Sequence, residues 1–167
     1  SPGFDADFNA DHSGSLYVYE LADCIANNGA CSTVAEIDLG GQPDSVAVSP
    51  DHSYVAIAIE NERDEEACHT ADGILVPGPD NSYYGEDNED NCENAGFLFG
   101  RLPQPNAGWL TVIADTDTDA PGSWTPHNVP LTGLGNVLYP TDPEPEYVAI
   151  NANNEALVSL QENNALV

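Results

Sequence analysis

The chain has 167 residues, 29 of them acidic, against two cationic side chains, Arg63 and Arg101, so its formal net charge is −27. That length suits one ordinary domain, and an apolar content of 41% supports a core and argues against wholesale disorder. A chain so anionic repels nucleic acid and anionic membrane surfaces, and its self-repulsion calls for cations, as screening salt or as bound ions. Calcium is the natural bound ion, because hard cations take oxygen ligands and Asp, Glu and Asn abound. General adaptation to high salt is the alternative, and the two are compatible.

The first candidate calcium site is the N-terminal stretch Asp5-Ala6-Asp7-Phe8-Asn9-Ala10-Asp11-His12-Ser13-Gly14, with Asp5, Asp7, Asn9 and Asp11 as oxygen donors. Counted from Asn9, residues Asn9, Asp11, Ser13, Gly14, Leu16 and Glu20 fit the EF-hand loop pattern. That pattern wants flanking helices, whereas residues 16–21 alternate like a strand. An acidic calcium-binding loop feeding a strand and a solvated terminal loop are the readings left open.

Residues 14–21 form the first predicted strand and residues 33–39 the second. Residues 43–62 then read as a hairpin. Val46 and Val48 share one strand face, and Val55, Ile57 and Ile59 share another after the turn. Ser49-Pro50-Asp51-His52-Ser53 supplies turn chemistry between them.

This pattern recurs. PDSVAVSPDHSYVAIAIENE (43–62) aligns without gaps on PEYVAINANNEALVSLQENN (145–164), with Pro43/Pro145, Val46/Val148, Ala47/Ala149, Glu60/Glu162 and Asn61/Asn163 identical. Asp44/Glu146, Val48/Ile150 and Val55/Leu157 are conservative, and His52 takes the turn position of Asn154. Upstream, residues 14–21 match residues 108–115, and a further strand at 128–131 parallels the one at 33–39. Short antiparallel strands in units of four are the arithmetic of a β-propeller. The expectation is an all-β chain with about two blade units, 14–62 and 108–164, and the start of another strand at 165–167. A complete propeller usually has roughly four to eight blades. The reading therefore favours a fragment of a larger protein, with closure by blades of another chain as the alternative.

Cys24, Cys31, Cys68 and Cys92 allow three pairings. The short spacing of the first two, and the way the others bracket one segment, favour Cys24–Cys31 and Cys68–Cys92. Such bridges point to an oxidising compartment, hence a secreted or cell-surface protein. No apolar run reaches membrane-spanning length. Between the two units lies a Pro-, Gly- and acid-rich insertion, 63–107, whose run Glu86–Asp90 offers carboxylates, notably Glu86, Asp87 and Asp90, as weak calcium ligands or as a solvated loop.

The paired strand ends Glu60-Asn61 and Glu162-Asn163 are the remaining metal candidates, since a repeat places them on one face of a ring. The competing reading is that they satisfy backbone donors at strand ends. Nucleophilic catalysis has little support. No G-x-S-x-G elbow occurs, no H-E-x-x-H, and His12, His52, His69 and His127 sit in turns or loops. Trp109 and Trp124 read as packing aromatics.

The P-D-S-V-A-V-S-P-D hairpin ending in Glu60-Asn61-Glu62, together with Glu144-Pro145-Glu146-Tyr147-Val148-Ala149-Ile150 and the closing Leu160-Gln161-Glu162-Asn163-Asn164-Ala165, resembles the choice-of-anchor I domain. That group includes mesenchyme-specific cell-surface glycoproteins of mineralised skeletons, described in places as alkaline-phosphatase-like or phytase-like. The resemblance covers most of 14–62 and 108–167. The repeat, the paired cysteines and the net charge of −27 lead to the expectation of a calcium-binding surface module contacting extracellular matrix, mineral or other surface proteins. Two alternatives are a calcium-dependent phosphoesterase completed by further blades and a subunit of a self-assembling extracellular structure.

Overall fold

The structure is a computed structural model describing residues 14–83, 85–104, 106–114, 116 and 120–167. In chain order its strands are β1 (Ser15–Tyr19), β2 (Thr33–Asp38), β3 (Pro43–Val48), β4 (Tyr54–Ile59), β5 (Cys68–His69), β6 (Leu98–Phe99), β7 (Trp109–Ala114), β8 (Pro126–Pro130), β9 (Pro145–Ile150), β10 (Ala156–Leu160) and β11 (Ala165–Leu166). Two six-residue helices interrupt them, α1 (Leu21–Ala26) and α2 (Glu89–Asn94). The chain is thus mostly β, in small antiparallel sheets ordered β1–β2, β3–β4–β7–β8, β9–β10–β11 and β5–β6. The described residues do not close into a ring.

Strand β4 explains the arrangement. Its sequence YVAIAI has no polar face, and every residue from Val55 to Ile59 is buried. A strand apolar on both sides needs a partner layer on each. Val55, Ile57 and Ile59 point one way and join Ile37, Leu39 and Ile113, with Leu16, Trp109 and Trp124 packed against them. Ala56 points the other way and joins Leu110, Leu131, Val148, Val158 and Leu160. The four-stranded sheet therefore carries β1–β2 on one face and β9–β10–β11 on the other. Small side chains at Ala47, Ala56 and Ala58 let β9 approach the second face, where the Val148 N–H donates to Ser45 Oγ at 2.8 Å.

Hydrogen bonding cuts the sequence repeat at an unexpected place. Residues 14–62 are shared between two sheets. β1 and β2 pair only with each other, while the β3–β4 hairpin continues into β7 and β8 across the insertion. Insertion 63–107 leaves and re-enters one sheet between adjacent strands. The physical reason is β4 itself, whose apolar edge is matched by β7 in unbroken register from Tyr54–Ala114 to Ile59–Trp109. The predicted strand at 14–21 also ends early, at Tyr19. Leu21 opens α1, and Cys24–Cys31 closes the loop that follows.

The two repeat copies keep equivalent devices. His52 and Asn154 both adopt φ 62°, a left-handed conformation that suits a turn position. Gly14 abuts Pro43 and Gly108 abuts Pro145, so closely that a Cβ at either glycine would clash with the proline ring. The copies differ by one residue in the hairpin turn, closed by Ser49 N–H to Tyr54 O in the first and Asn151 N–H to Glu155 O in the second. Val55 and Leu157, aligned in sequence, consequently face opposite ways: Val55 is buried and Leu157 is 52% exposed.

Within the insertion, β5 pairs with β6 and the Cys68–Cys92 disulfide ties α2 to β5. His69 is buried there, its Nε2 accepting the Arg101 N–H at 3.2 Å and its Nδ1 lying 2.9 Å from Thr70 O. These contacts set the neutral tautomer with the proton on Nδ1.

The two-sided burial of β4 makes Ile57 one of the costliest positions to truncate. Ile57→Ala is expected to lower unfolding free energy by about 2–5 kcal/mol. Val46→Ala, on the exposed face of edge strand β3, should stay within about 0.5 kcal/mol. Urea denaturation of both variants against the parent checks the contrast.

Candidate functional site

The sheets deliver polar groups to one place, the bases of the β3–β4 and β9–β10 hairpins. The Asn61 amide oxygen accepts the Gln42 N–H at 2.9 Å, and the Asn163 amide oxygen accepts the Glu144 N–H at the same distance. Asn163 Nδ2 donates to Leu138 O and Asp142 O, each at 2.9 Å. Both asparagines are buried, and each closes its hairpin by satisfying a backbone donor that has no ladder partner.

Arg63, at the first residue of the insertion, organises the carboxylates around them. Its Nη1 lies 3.0 Å from Glu144 Oε2 and 3.2 Å from Glu162 Oε2, and Nη2 lies 3.2 Å from Glu65 Oε1. Arg63 Nε donates to Gly100 O, and the Arg63 backbone N–H donates to Glu144 Oε1, both at 3.0 Å. One side chain thus joins the end of β4, the return of the insertion and the approach to β9. Glu144 is 1% exposed, as a side chain held on two sides by the same residue. Beside it, buried Asp142 accepts the Gln104 N–H, and Gln104 Nε2 donates to Asp64 O at 2.9 Å.

Negative charge exceeds what Arg63 neutralises. Burial pushes the Glu60 carboxyl up to about 8, helped by the charges of Asp44, Glu62, Glu144 and Glu146. Burial raises Asp142 to about 6 despite its hydrogen bond from Gln104. It raises Glu144 as well, and Arg63 offsets only part of the effect. Glu146 is raised by burial and then by Asp44, Glu162 and Glu62. Glu60 therefore keeps its proton at neutral pH, and a cation that replaced it would relieve the same repulsion.

The four strand-end candidates do not share one role. Glu60 sits in the carboxylate cluster, Glu162 is paired with Arg63, and Asn61 and Asn163 are engaged with backbone groups. In the insertion, Glu86 joins Glu65, Glu66, Glu89 and Arg101 around a cleft of about 540 Å³, whereas Asp87 and Asp90 are exposed outside that lining. Asp5, Asp7, Asn9 and Asp11 lie outside the described residues. The second half of the EF-like pattern falls in β1, where Leu16 pairs with Ile37 as a strand residue. Among the described residues, no three His, Cys, Asp or Glu side chains stand in position to hold a metal ion. No helix among them is long and apolar enough to cross a membrane.

Sequence reasoning passed over Arg63, Glu144 and Asp142 as a unit. The available signal was scarcity: with two cations in the whole chain, a buried arginine must serve the anions nearest the fold's interior. No family profile matches the chain, and no curated protein or solved structure does.

Two outcomes follow from the junction. At pH 8, Arg63→Met leaves Glu144 buried without its partner and is expected to cost about 3–5 kcal/mol, much of it recovered in the double variant Arg63→Met/Glu144→Leu. Denaturant titration of the single and double variants measures this, and a single-variant cost below about 1 kcal/mol would contradict the assigned role. The second outcome concerns pH. The folded chain keeps a proton on Glu60 between the ordinary carboxyl value of 4.5 and about 8, a range in which the unfolded chain has released it. The folded state binds more protons, so this contribution to stability is full below 4.5 and is lost as pH rises through about 8. Melting temperature should fall between pH 5 and pH 9, and Glu60→Gln should flatten the fall. A melting temperature that rises over that range would contradict the sign.

Proposed function

We propose that this chain is a secreted or cell-surface module of β-propeller type, whose acidic groups bind calcium and whose role is structural or adhesive, in contact with matrix, mineral or other surface proteins. The observation that carries this reading is the layered stack. A four-stranded antiparallel sheet, β3–β4–β7–β8, is covered on one face by β1–β2 and on the other by β9–β10–β11. The flanking sheets have two and three strands, and face-to-face packing of successive antiparallel sheets is how propeller blades bury their cores. Disulfides Cys24–Cys31 and Cys68–Cys92 fit an oxidising compartment. The resemblance of the hairpin segments to the choice-of-anchor I group supports the surface role.

Calcium enters this reading through charge. Glu60 lies in the field of Asp44, Glu62 and Glu146, and divalent ions drawn to that charge would compete with its proton. The stretches Asp5–Asp11 and Glu86–Asp90 are the other candidate sites. A phosphoesterase reading draws less support. Arg63 is committed to three carboxylates and Arg101 Nη2 lies 3.0 Å from Glu93, so both cations are occupied by the chain's own anions. Such an activity would take its phosphate-binding groups from further blades.

Melting curves with millimolar calcium or with chelator, at matched ionic strength, test the proposal. Calcium is expected to raise the melting temperature, and more at pH 8 than at pH 5, because protons compete for Glu60. Equal melting temperatures with calcium and with matched monovalent salt would leave screening as the account of the acidity.

A further inference from the structure

We infer that the two outer faces of the sheet stack are complementary, and that a second copy of this chain docks its β1–β2 face onto the β9–β10–β11 face, head to tail. This rests on the propeller-type reading above and commits it to one partner for the outer faces, a second copy of the chain. In the middle sheet, Thr111 and Ile113 share the face of Ile57 and Val55, which β1–β2 covers. Their repeat equivalents in β1 are Tyr17 and Tyr19, on the outward face of that sheet, 49% and 45% exposed, with ring centroids 6.5 Å apart. On the opposite face of the middle sheet, Ser45 and Ala47 lie with Ala58 and Ala56 beneath β9. Their equivalents in β9 are Tyr147 and Ala149, on the outward face of the third sheet, where Tyr147 is 65%, Leu157 52% and Leu166 69% exposed.

Each outer face is thus the counterpart of a face that this molecule itself covers with a neighbouring sheet. The two counterparts differ in sense: one receives the sheet before it and the other the sheet after it. A face that receives the following sheet and a face that receives the preceding one meet in a heterologous contact, not a symmetric one. Apolar residues on exposed sheet faces carry the driving force. The charge of −27 on each copy opposes it. Association is therefore a high-salt property, because the screening length falls from about 30 Å at 0.01 M to about 3 Å at 1 M salt.

Light scattering on the sized chain at tens of micromolar, in dilute buffer and in 1 M NaCl, reads the outcome, together with two exposed-face variants, Leu157→Asp and Tyr19→Asp. The parent is expected to be monomeric in dilute buffer and dimeric or larger in 1 M salt. Each variant alone should associate at least about tenfold more weakly, since every contact needs one face of each kind. An equimolar mixture of the two variants should restore association and stop at dimers, because each pair retains a single intact contact. Circular dichroism of the variants verifies that they fold. A parent that stays monomeric at all salt concentrations, or a dimer that both variants leave intact, overturns the inference. A chain that gains stability from calcium yet stays monomeric sinks only the docking. One that associates without any calcium effect sinks only the calcium reading.

Discussion

Everything in this fold hangs on a strand with no polar side. β4 cannot lie at a surface without exposing Ile57 or Ile59 on one face or widening the approach to Ala56 and Ala58 on the other. It therefore demands a layer above and a layer below, and the rest of the chain is disposed to supply them. β7, the strand beside it, is built the same way, with Leu110 facing one core and Ile113 the other. Neither strand carries a charged residue. The acidic side chains are displaced to the hairpin bases, the insertion and the outer strands, and that displacement concentrates negative charge where the sheets meet.

The junction at Arg63 shows what the concentration costs and how it is offset. A buried ion pair is poor evidence of net stability, because removing two charges from water cancels much of their attraction. Its service here is positional. By holding Glu144, Glu162 and the Gly100 carbonyl together, Arg63 anchors both ends of a long insertion to the third sheet. The proton that burial keeps on Glu60 relieves part of the charge that one arginine leaves unbalanced. The same site thus couples architecture to pH.

The mostly-β character, both disulfides, the strands of the two repeat units and the turn role shared by His52 and Asn154 were legible from period-two alternation, cysteine spacing and the internal repeat, whereas β5 and β6 in the insertion were not. The grouping of strands into sheets was not. Sequence order places β1, β2, β3 and β4 in one unit, but pairing is decided by which edges match, and β4 matches β7 beyond the insertion. The gapless alignment also concealed the one-residue difference between hairpin turns, which reverses the facing of Leu157. At the candidate site, Glu60 was visible as a strand-end carboxylate. Its full environment was not: Asp44 comes with the β3–β4 hairpin, but Glu144 and Glu146 come from β9 and the segment before it and meet Glu60 only through the stacking of β9 on β3 and β4.

Hydrogen exchange followed by mass spectrometry tests the central claim, that β3–β4–β7–β8 is one sheet whose inner strands β4 and β7 are buried on both faces. The account predicts that the amides of 54–59 and 109–114 are the slowest to exchange and open together, with 15–19 and 33–38 opening at lower free energy. If instead 15–59 protected as one cooperative unit and 109–131 opened separately, the strands would be grouped as sequence order suggests, and the sandwiched middle sheet would be wrong.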